Sequence, residues 1–174
     1  FGFMETLNST LTSEQILYGM ANRDSSQIIS VTSSKSQEHT ILRDSILPGL
    51  LENLSKNIHE TYPQKFFESG IVFSKGAPIK ETSSLACVTA SEETHFSEMK
   101  AVLQSLLRIG FNIKCETKTL PSHVLFSQGR VAEIVVNKKT VGYIGELDSK
   151  VLENFRIRTK VVGFEIKLSG LIFD

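Results

Sequence analysis

Neither sign of charge dominates this sequence. Its 19 lysines and arginines balance its 19 aspartates and glutamates. That argues against a broad phosphate-binding face and leaves room only for a local patch, because non-specific nucleic-acid binding rests on accumulated positive charge. Cysteine is scarce as well. Cys87 and Cys115 stand far apart and, with the four scattered histidines His39, His59, His95 and His123, show no metal-ligand spacing. They read as two buried thiols in a reducing compartment. No apolar run reaches the ~18 residues that suggest a membrane span, and no signal peptide is visible. A Walker loop, GxGxxG, HExxH and CxxC are all missing. The first residue is Phe1 rather than methionine, so the sequence is expected to be a piece of a longer one.

What is present suits a single domain, since about 100–200 residues is usual for one core. A chain of this size buries roughly 70% of its unfolded surface and needs no staple. The most informative stretch is 42–73. Its first half, LRDSILPGLLENLSKN, predicts a helix with Pro48 in the first turn and Leu47, Leu50, Leu51, Leu54 and Ile58 on one stripe. Its second half, YPQKFFESGIVF, predicts a strand entered at Pro63, with Phe66, Phe67, Ile71, Val72 and Phe73 as sheet formers.

Around it the pattern predicts alternating elements. Residues 2–7 (GFMETL) read as a strand, and Thr12 or Ser13 caps a helix running to Ala21 with Ile16, Leu17 and Met20 facing inward. Residues 22–26 form a turn, Ile28, Ile29 and Val31 a brief strand, and 32–36 a Ser-rich link. Residues 74–84 read as a loop and 85–90 (LACVTA) as an interior strand. The helix at 95–109, capped by Thr94 and closed by Gly110, carries Phe96, Met99, Leu103, Leu106 and Leu107 on one face. A strand at 111–117 follows, ended by Pro121. Residues 131–136 and 140–147 flank Asn137-Lys138-Lys139 as a hairpin, 149–155 is a short helix, and 161–168 is a strand with one buried face. Regular βαβ alternation is missing, so the class is α+β with a largely antiparallel sheet.

Glu68, Glu133, Glu146 and Glu165 all fall in predicted strands, and paired carboxylates do acid–base work. Strand glutamates more often face solvent or pair with lysine, and that is the expectation here. Arg156, Arg158 and Lys160 form a small cationic cluster that reads as a solvated edge.

The ordering of these residues resembles the beta chain of phenylalanyl-tRNA synthetase, in the C-terminal core of its archaeal and eukaryotic form. The L-R-x-S-L-L-P-G-L-L segment of that family is matched by Leu42, Arg43, Ser45, Ile46, Leu47, Pro48, Gly49, Leu50 and Leu51, and it is followed by Asn57. Its P-x-x-x-F-E-x-G strand is matched by Pro63, Phe67, Glu68 and Gly70. In family order come Gly2-Phe3-x-Glu5, then Phe96-x-x-Met99-Lys100 with Ala101 in place of glycine, then Gly129-Arg130-x-Ala132. Gly142-x-x-Gly145-Glu146-Leu147 and Val151-Leu152-Glu153-Asn154-Phe155 complete the series. Ser33 and Ser34 stand where the family has Asn-Pro.

The resemblance implies a class II synthetase-like antiparallel sheet flanked by helices, occupying residues 1–174 of a longer beta chain. It implies an alpha-chain partner in a heterotetramer of two alpha and two beta chains, and cytoplasmic charging of tRNA(Phe) with phenylalanine. ATP and Mg2+ are then used in the alpha chain, with no cofactor, metal or catalytic residue in this domain and no membrane. Class II enzymes grip ATP with an arginine just beyond the motif 2 strand and another in motif 3. Here Ser74 and Lys75 occupy the first place and Lys167 the second, and no arginine lies between Arg43 and Arg108. Lysine offers a point charge where arginine offers a planar fork, and single electrostatic donors of this kind contribute about 3–4 kcal/mol. A vestigial pocket would involve Glu68, Ser74, Glu133, Glu165 and Lys167. The partner interface would involve the motif 1 strand through Gly2, Phe3, Met4, Glu5 and Leu7, with an exposed apolar patch there. Two alternatives stay open: retained binding of phenylalanine, adenylate or another small ligand in that pocket, and a tRNA-contacting surface at Arg156, Arg158 and Lys160.

Overall fold

The computed structural model describes residues 1–32 and 39–171. In chain order the strands β1 (Met4–Glu5), β2 (Leu11–Thr12) and β3 (Ile41–Leu42) precede helix α1 (Leu47–Lys56). Then come β4 (Gln64–Ser74), β5 (Lys80–Ala90), α2 (Phe96–Phe111), β6 (Glu116–Leu120), β7 (Phe126–Val136), β8 (Lys139–Leu147), α3 (Ser149–Asn154) and β9 (Val161–Lys167). The main sheet has the order β1-β4-β5-β9-β8-β7-β6, and β2 pairs with β3 apart from it. Every pairing is antiparallel except β1 on β4. The α+β class and the antiparallel sheet are therefore as the pattern implies.

The sheet is buried on both faces. Helix α1 packs Leu47, Leu50, Leu51 and Leu54 on one face, where they meet Phe66, Val88 and Val161 and the α3 residues Val151, Leu152 and Phe155. Helix α2 covers the other face, setting Met99, Leu103 and Leu107 against Val162, Phe164, Ile166, Ile134 and Ile144. Strand β9 lies between β5 and β8, so its alternate residues are buried on both sides rather than on the one expected. Gly163 marks the tight side: an added Cβ would stand 2.8 Å from the Cys87 carbonyl oxygen and 3.4 Å from a Leu47 methyl.

Several local expectations are corrected. Ile58 is 39% exposed, because α1 ends at Lys56 and Asn57 (φ −111°, ψ 22°) turns the chain away from the stripe. The expected helix after Ser13 is a single π turn, Gln15–Gly19, in which Leu17 and Tyr18 are buried while Ile16 and Met20 lie at the margin. The brief strand near Ile29 is reduced to one bridge, Ser30 to Ile41. Helix α2 runs through Gly110 and closes on Asn112 in the left-handed region (φ 55°), where the Ile113 N–H reaches back to the Leu107 carbonyl. Strand β5 begins at Lys80 inside the expected loop, and β6 begins at Glu116 because Phe111 still belongs to α2. Strand β7 begins at Phe126, with an irregular register between Phe126 and Val131. The β7–β8 turn is tighter than expected: Val136 pairs with Lys139. Asn137 (φ 49°) and Lys138 (φ 65°) make the two-residue primed turn that suits strand twist. Ser33, Ser34 and most of the 32–36 link lie outside the described residues.

Candidate functional site

The face under α1 carries three of the strand glutamates, Glu68, Glu165 and Glu133. Register places Glu68 opposite Ala86, Ala86 opposite Glu165, Glu165 opposite Tyr143, and Tyr143 opposite Glu133. One row across the sheet thus carries three carboxylates on alternate strands. Adjacent strands are about 4.8 Å apart, so neighbouring carboxylates in the row stand roughly 10 Å apart and cannot share a proton. Each is committed to a different protein partner.

Glu165 holds the start of α1. Its carboxylate accepts from the Ser45 hydroxyl at 2.7 Å, the Ile46 N–H at 3.0 and 3.1 Å, and the Leu47 N–H at 3.1 Å. Ile46, the residue preceding the helix, has no side chain able to cap it. The first-turn amides, left without carbonyl partners by helix geometry, therefore take an anion from β9, in the manner of helix N-terminal anion sites. Burial pushes the Glu165 pKa up, opposed by these hydrogen bonds and by Arg23.

Glu68 holds the segment leading into α1. It forms a buried ion pair with Arg43, whose side chain is 6% exposed against 2% for the glutamate. Arg43 also donates through Nε to the Ile71 carbonyl at 3.0 Å, and Asn8 donates to the second Glu68 oxygen at 2.7 Å. Gly70 makes this possible, since a Cβ there would lie 2.2 Å from Arg43 Nη2. Arg43 and, 25 residues on, Glu68 with its neighbour Gly70 are one structural unit.

The remaining glutamates are peripheral. Glu133 accepts from Thr140 at 3.4 Å, and Glu146 pairs with the exposed Arg130. The expectation that strand glutamates face solvent or pair with lysine fails at Glu68 and Glu165, which take arginine and backbone partners instead. Ser74 is exposed at the end of β4, Lys75 donates to the Ser26 carbonyl at 2.8 Å, and Lys167 is exposed at the end of β9. Of the residues named for a vestigial pocket, Glu165 and Lys167 share a cleft of about 370 Å³, while Glu68, Glu133 and Ser74 do not line it. Arg23 also lines this cleft, but both its Nη atoms close on Asp44 at 2.8 Å. Asp44 further accepts from Tyr18, whose phenol pKa burial and Asp44 push up to about 12. The guanidinium fork that lines this cleft is thus taken by Asp44.

Elsewhere, Cys87 is a buried free thiol pushed up to about 12 by burial, and Cys115 is partly buried and also free. Among the described residues no group of three or more His, Cys, Asp or Glu side chains could hold a metal ion. Among these residues no helix is long and apolar enough to cross a membrane. At the N-terminus Phe1, Met4 and Leu7 are 71%, 65% and 86% exposed, Gly2 and Glu5 are exposed, and Phe3 is partly buried with Lys65 over its ring. Arg156, Arg158 and Lys160 line a cleft that Glu146 and Glu153 also border.

Residues 1–168 match the family described as phenylalanyl tRNA synthetase beta chain CLM domain. The chain belongs to that family. The phenylalanine–tRNA ligase beta subunit of Methanocaldococcus jannaschii is 37% identical over 172 residues, covering 97% of this chain and 31% of that protein. Its namesake in Pyrococcus abyssi is 37% identical over 176 residues, covering 98% of this chain and 31% of that protein. The chain therefore spans about a third of the length of the curated relatives it matches. In fold it is similar to the Desulfitobacterium hafniense protein PylSc, a pyrrolysyl tRNA synthetase, with a TM-score of 0.76 at 18% identity over 98% of this chain and 62% of that one. Sequence reasoning in the synthetase beta-chain frame named Glu68 and Glu165 but missed Arg43, Ser45, Arg23, Asp44 and His123. Arg43 and Ser45 carried a signal, as matched positions of the leucine-rich segment.

Proposed function

We propose that this chain is a non-catalytic core domain of a phenylalanyl-tRNA synthetase beta subunit. On this reading it packs against a catalytic alpha subunit, in an assembly of two alpha and two beta chains, and so supports ATP- and Mg2+-dependent charging of tRNA(Phe) in the cytoplasm. The observation that carries it is the Glu165 carboxylate bound to the amides that open α1. An anion-binding helix end on the sheet face is already filled by the protein's own side chain. The second support is that Ser74, Lys75 and Lys167, rather than arginines, stand at the places where the family resemblance puts the phosphate grip.

The packing surface on this reading is the N-terminal edge, where Met4 and Leu7 expose apolar side chains beside the two-residue strand β1. Exposed clusters of this kind mark interfaces. The test is co-expression of the beta subunit carrying Met4→Asp and Leu7→Asp with its alpha subunit. Loss of the complex on size-exclusion chromatography, with the circular dichroism of the beta subunit unchanged, is the expected outcome. A complex of wild-type stability would remove this surface from the account.

A further inference from the structure

A cleft of about 620 Å³ lies at the far end of α1, between the close of the helix and the N-terminal strand β1. Gln64, the first residue of β4, lines it and is only 6% exposed. Its Nε2 donates to the Asn57 carbonyl at 2.8 Å and to the Glu60 carbonyl at 3.4 Å. Both amide protons are therefore spent, and the group that remains is the acceptor Oε1. Oε1 is buried and has no hydrogen-bond partner. Such orphans are uncommon, because a buried acceptor without a donor keeps its full desolvation cost.

The charge bordering this space is negative. Glu60 is exposed, and its carboxylate has no ion pair among the described residues. The C-terminal end of α1 adds the negative end of the helix dipole. The Asn8 and Asn57 amides donate to Glu68 and to the Asn53 carbonyl, and no donor reaches their own oxygens. The Asn53 amide and the Thr6 and Thr61 hydroxyls serve either way. Lys65 also borders the cleft, but alternation along β4 turns its side chain to the opposite face of the sheet from Gln64. There its ammonium stands 5.9 Å from the centre of the Phe3 ring, which packs with the α2 side of the core.

The apolar border is the edge already read as the packing surface. Met4 and Leu7 both line the cleft, and Met4 pairs with Phe66 in the β1–β4 ladder. We propose that this cleft is the socket for an arginine of the subunit that packs on Met4 and Leu7. A guanidinium presents several donors in one plane, so it can reach the buried Gln64 Oε1 while meeting the exposed Glu60 carboxylate. Arginine is also among the residues enriched at the energetic centres of interfaces. The inference rests on the subunit reading and adds to it the chemistry that the partner brings.

The test uses the whole beta subunit with its alpha subunit, the affinity being read by serial dilution and size-exclusion chromatography. Glu60→Lys should weaken the complex about tenfold or more, and Glu60→Gln a few-fold. Glu60 is exposed, so neither variant should alter the circular dichroism of the beta subunit. Gln64→Met, which fills the space without an acceptor, should also weaken the complex a few-fold. Phenylglyoxal labelling read by mass spectrometry should find at least one alpha-subunit arginine protected in the wild-type complex and labelled when Glu60→Lys is introduced. Wild-type affinity with Glu60→Lys would overturn the inference, as would the absence of any protected arginine. If Met4→Asp with Leu7→Asp still breaks the complex in that case, the subunit reading stands without the socket. If that pair leaves the complex intact, both fall.

Discussion

Replacing Arg43 by alanine removes a guanidinium that is 6% exposed and leaves Glu68, at 2%, buried without its counter-charge. Breaking such a pair from one side costs about 3–5 kcal/mol, because the remaining charge keeps its desolvation penalty. The variant also frees the Ile71 carbonyl from its bond to Arg43 Nε. For a domain with about 5–15 kcal/mol of total stability, that is a large share. With a urea slope of about 2 kcal/mol/M, the midpoint should fall by roughly 2 M. Glu68→Ala should cost a similar amount. The double variant Arg43→Met with Glu68→Leu should recover much of the loss, since apolar replacement of a whole buried pair is often neutral. Equilibrium urea unfolding of these proteins, with the Arg43→Ala/Glu68→Ala double variant added, completes the cycle. If each single variant costs less than about 1 kcal/mol, and the two losses simply add, the pair is not the buried anchor described here.

Three further outcomes follow from the same geometry. Glu165→Gln should destabilise the chain by about 1–2 kcal/mol by putting an amide donor in place of one of the oxygens that accept from Ser45, Ile46 and Leu47. Because the folded Glu165 pKa is raised, this group's contribution is full below its ordinary value of 4.5 and declines as pH rises through the folded value. The variant should therefore flatten the stability profile in that window in chemical denaturation at stepped pH. His123 has the opposite profile: its folded pKa is lowered, so stability falls as pH drops through 6.5, and His123→Gln should remove that acid-side loss. Lys138→Gly should raise the melting temperature, gaining roughly 0.5–1 kcal/mol by relieving a left-handed lysine at φ 65°.

The parts of the fold that sequence made legible are those whose signal is local. The α1 stripe, the Phe-rich β4 and the apolar end of β5 each carry their pattern within a dozen residues. Residues 80–84 were hidden because Lys-Glu-Thr-Ser-Ser is polar at the exposed end of a hairpin whose ladder to β4 only the partner strand reveals. The close of α2 went to Gly110 on propensity, whereas Asn112 does the same work with the Ile113 to Leu107 bond. At the site the limit was sequence distance. Glu68 meets Arg43 across 25 residues and Glu165 meets Ser45 across 120, so the residue types were visible but their partners were not. A carboxylate in a strand does not announce whether it will meet water, a guanidinium or a helix end. The family-like order of motifs carried the rest, and the Gly70 contact with Arg43 supplies a physical reason for part of it.

The central claim is that this sheet face is closed by its own α1, with Ser74, Lys75 and Lys167 where the resemblance puts a phosphate-gripping arginine. Phenylalanine-dependent ATP–pyrophosphate exchange by this chain, without an alpha subunit, tests it most directly. No exchange above background is expected with Mg2+, ATP and phenylalanine all present. Phenylalanine-stimulated turnover that disappears when Lys167 or Ser74 is substituted would contradict it.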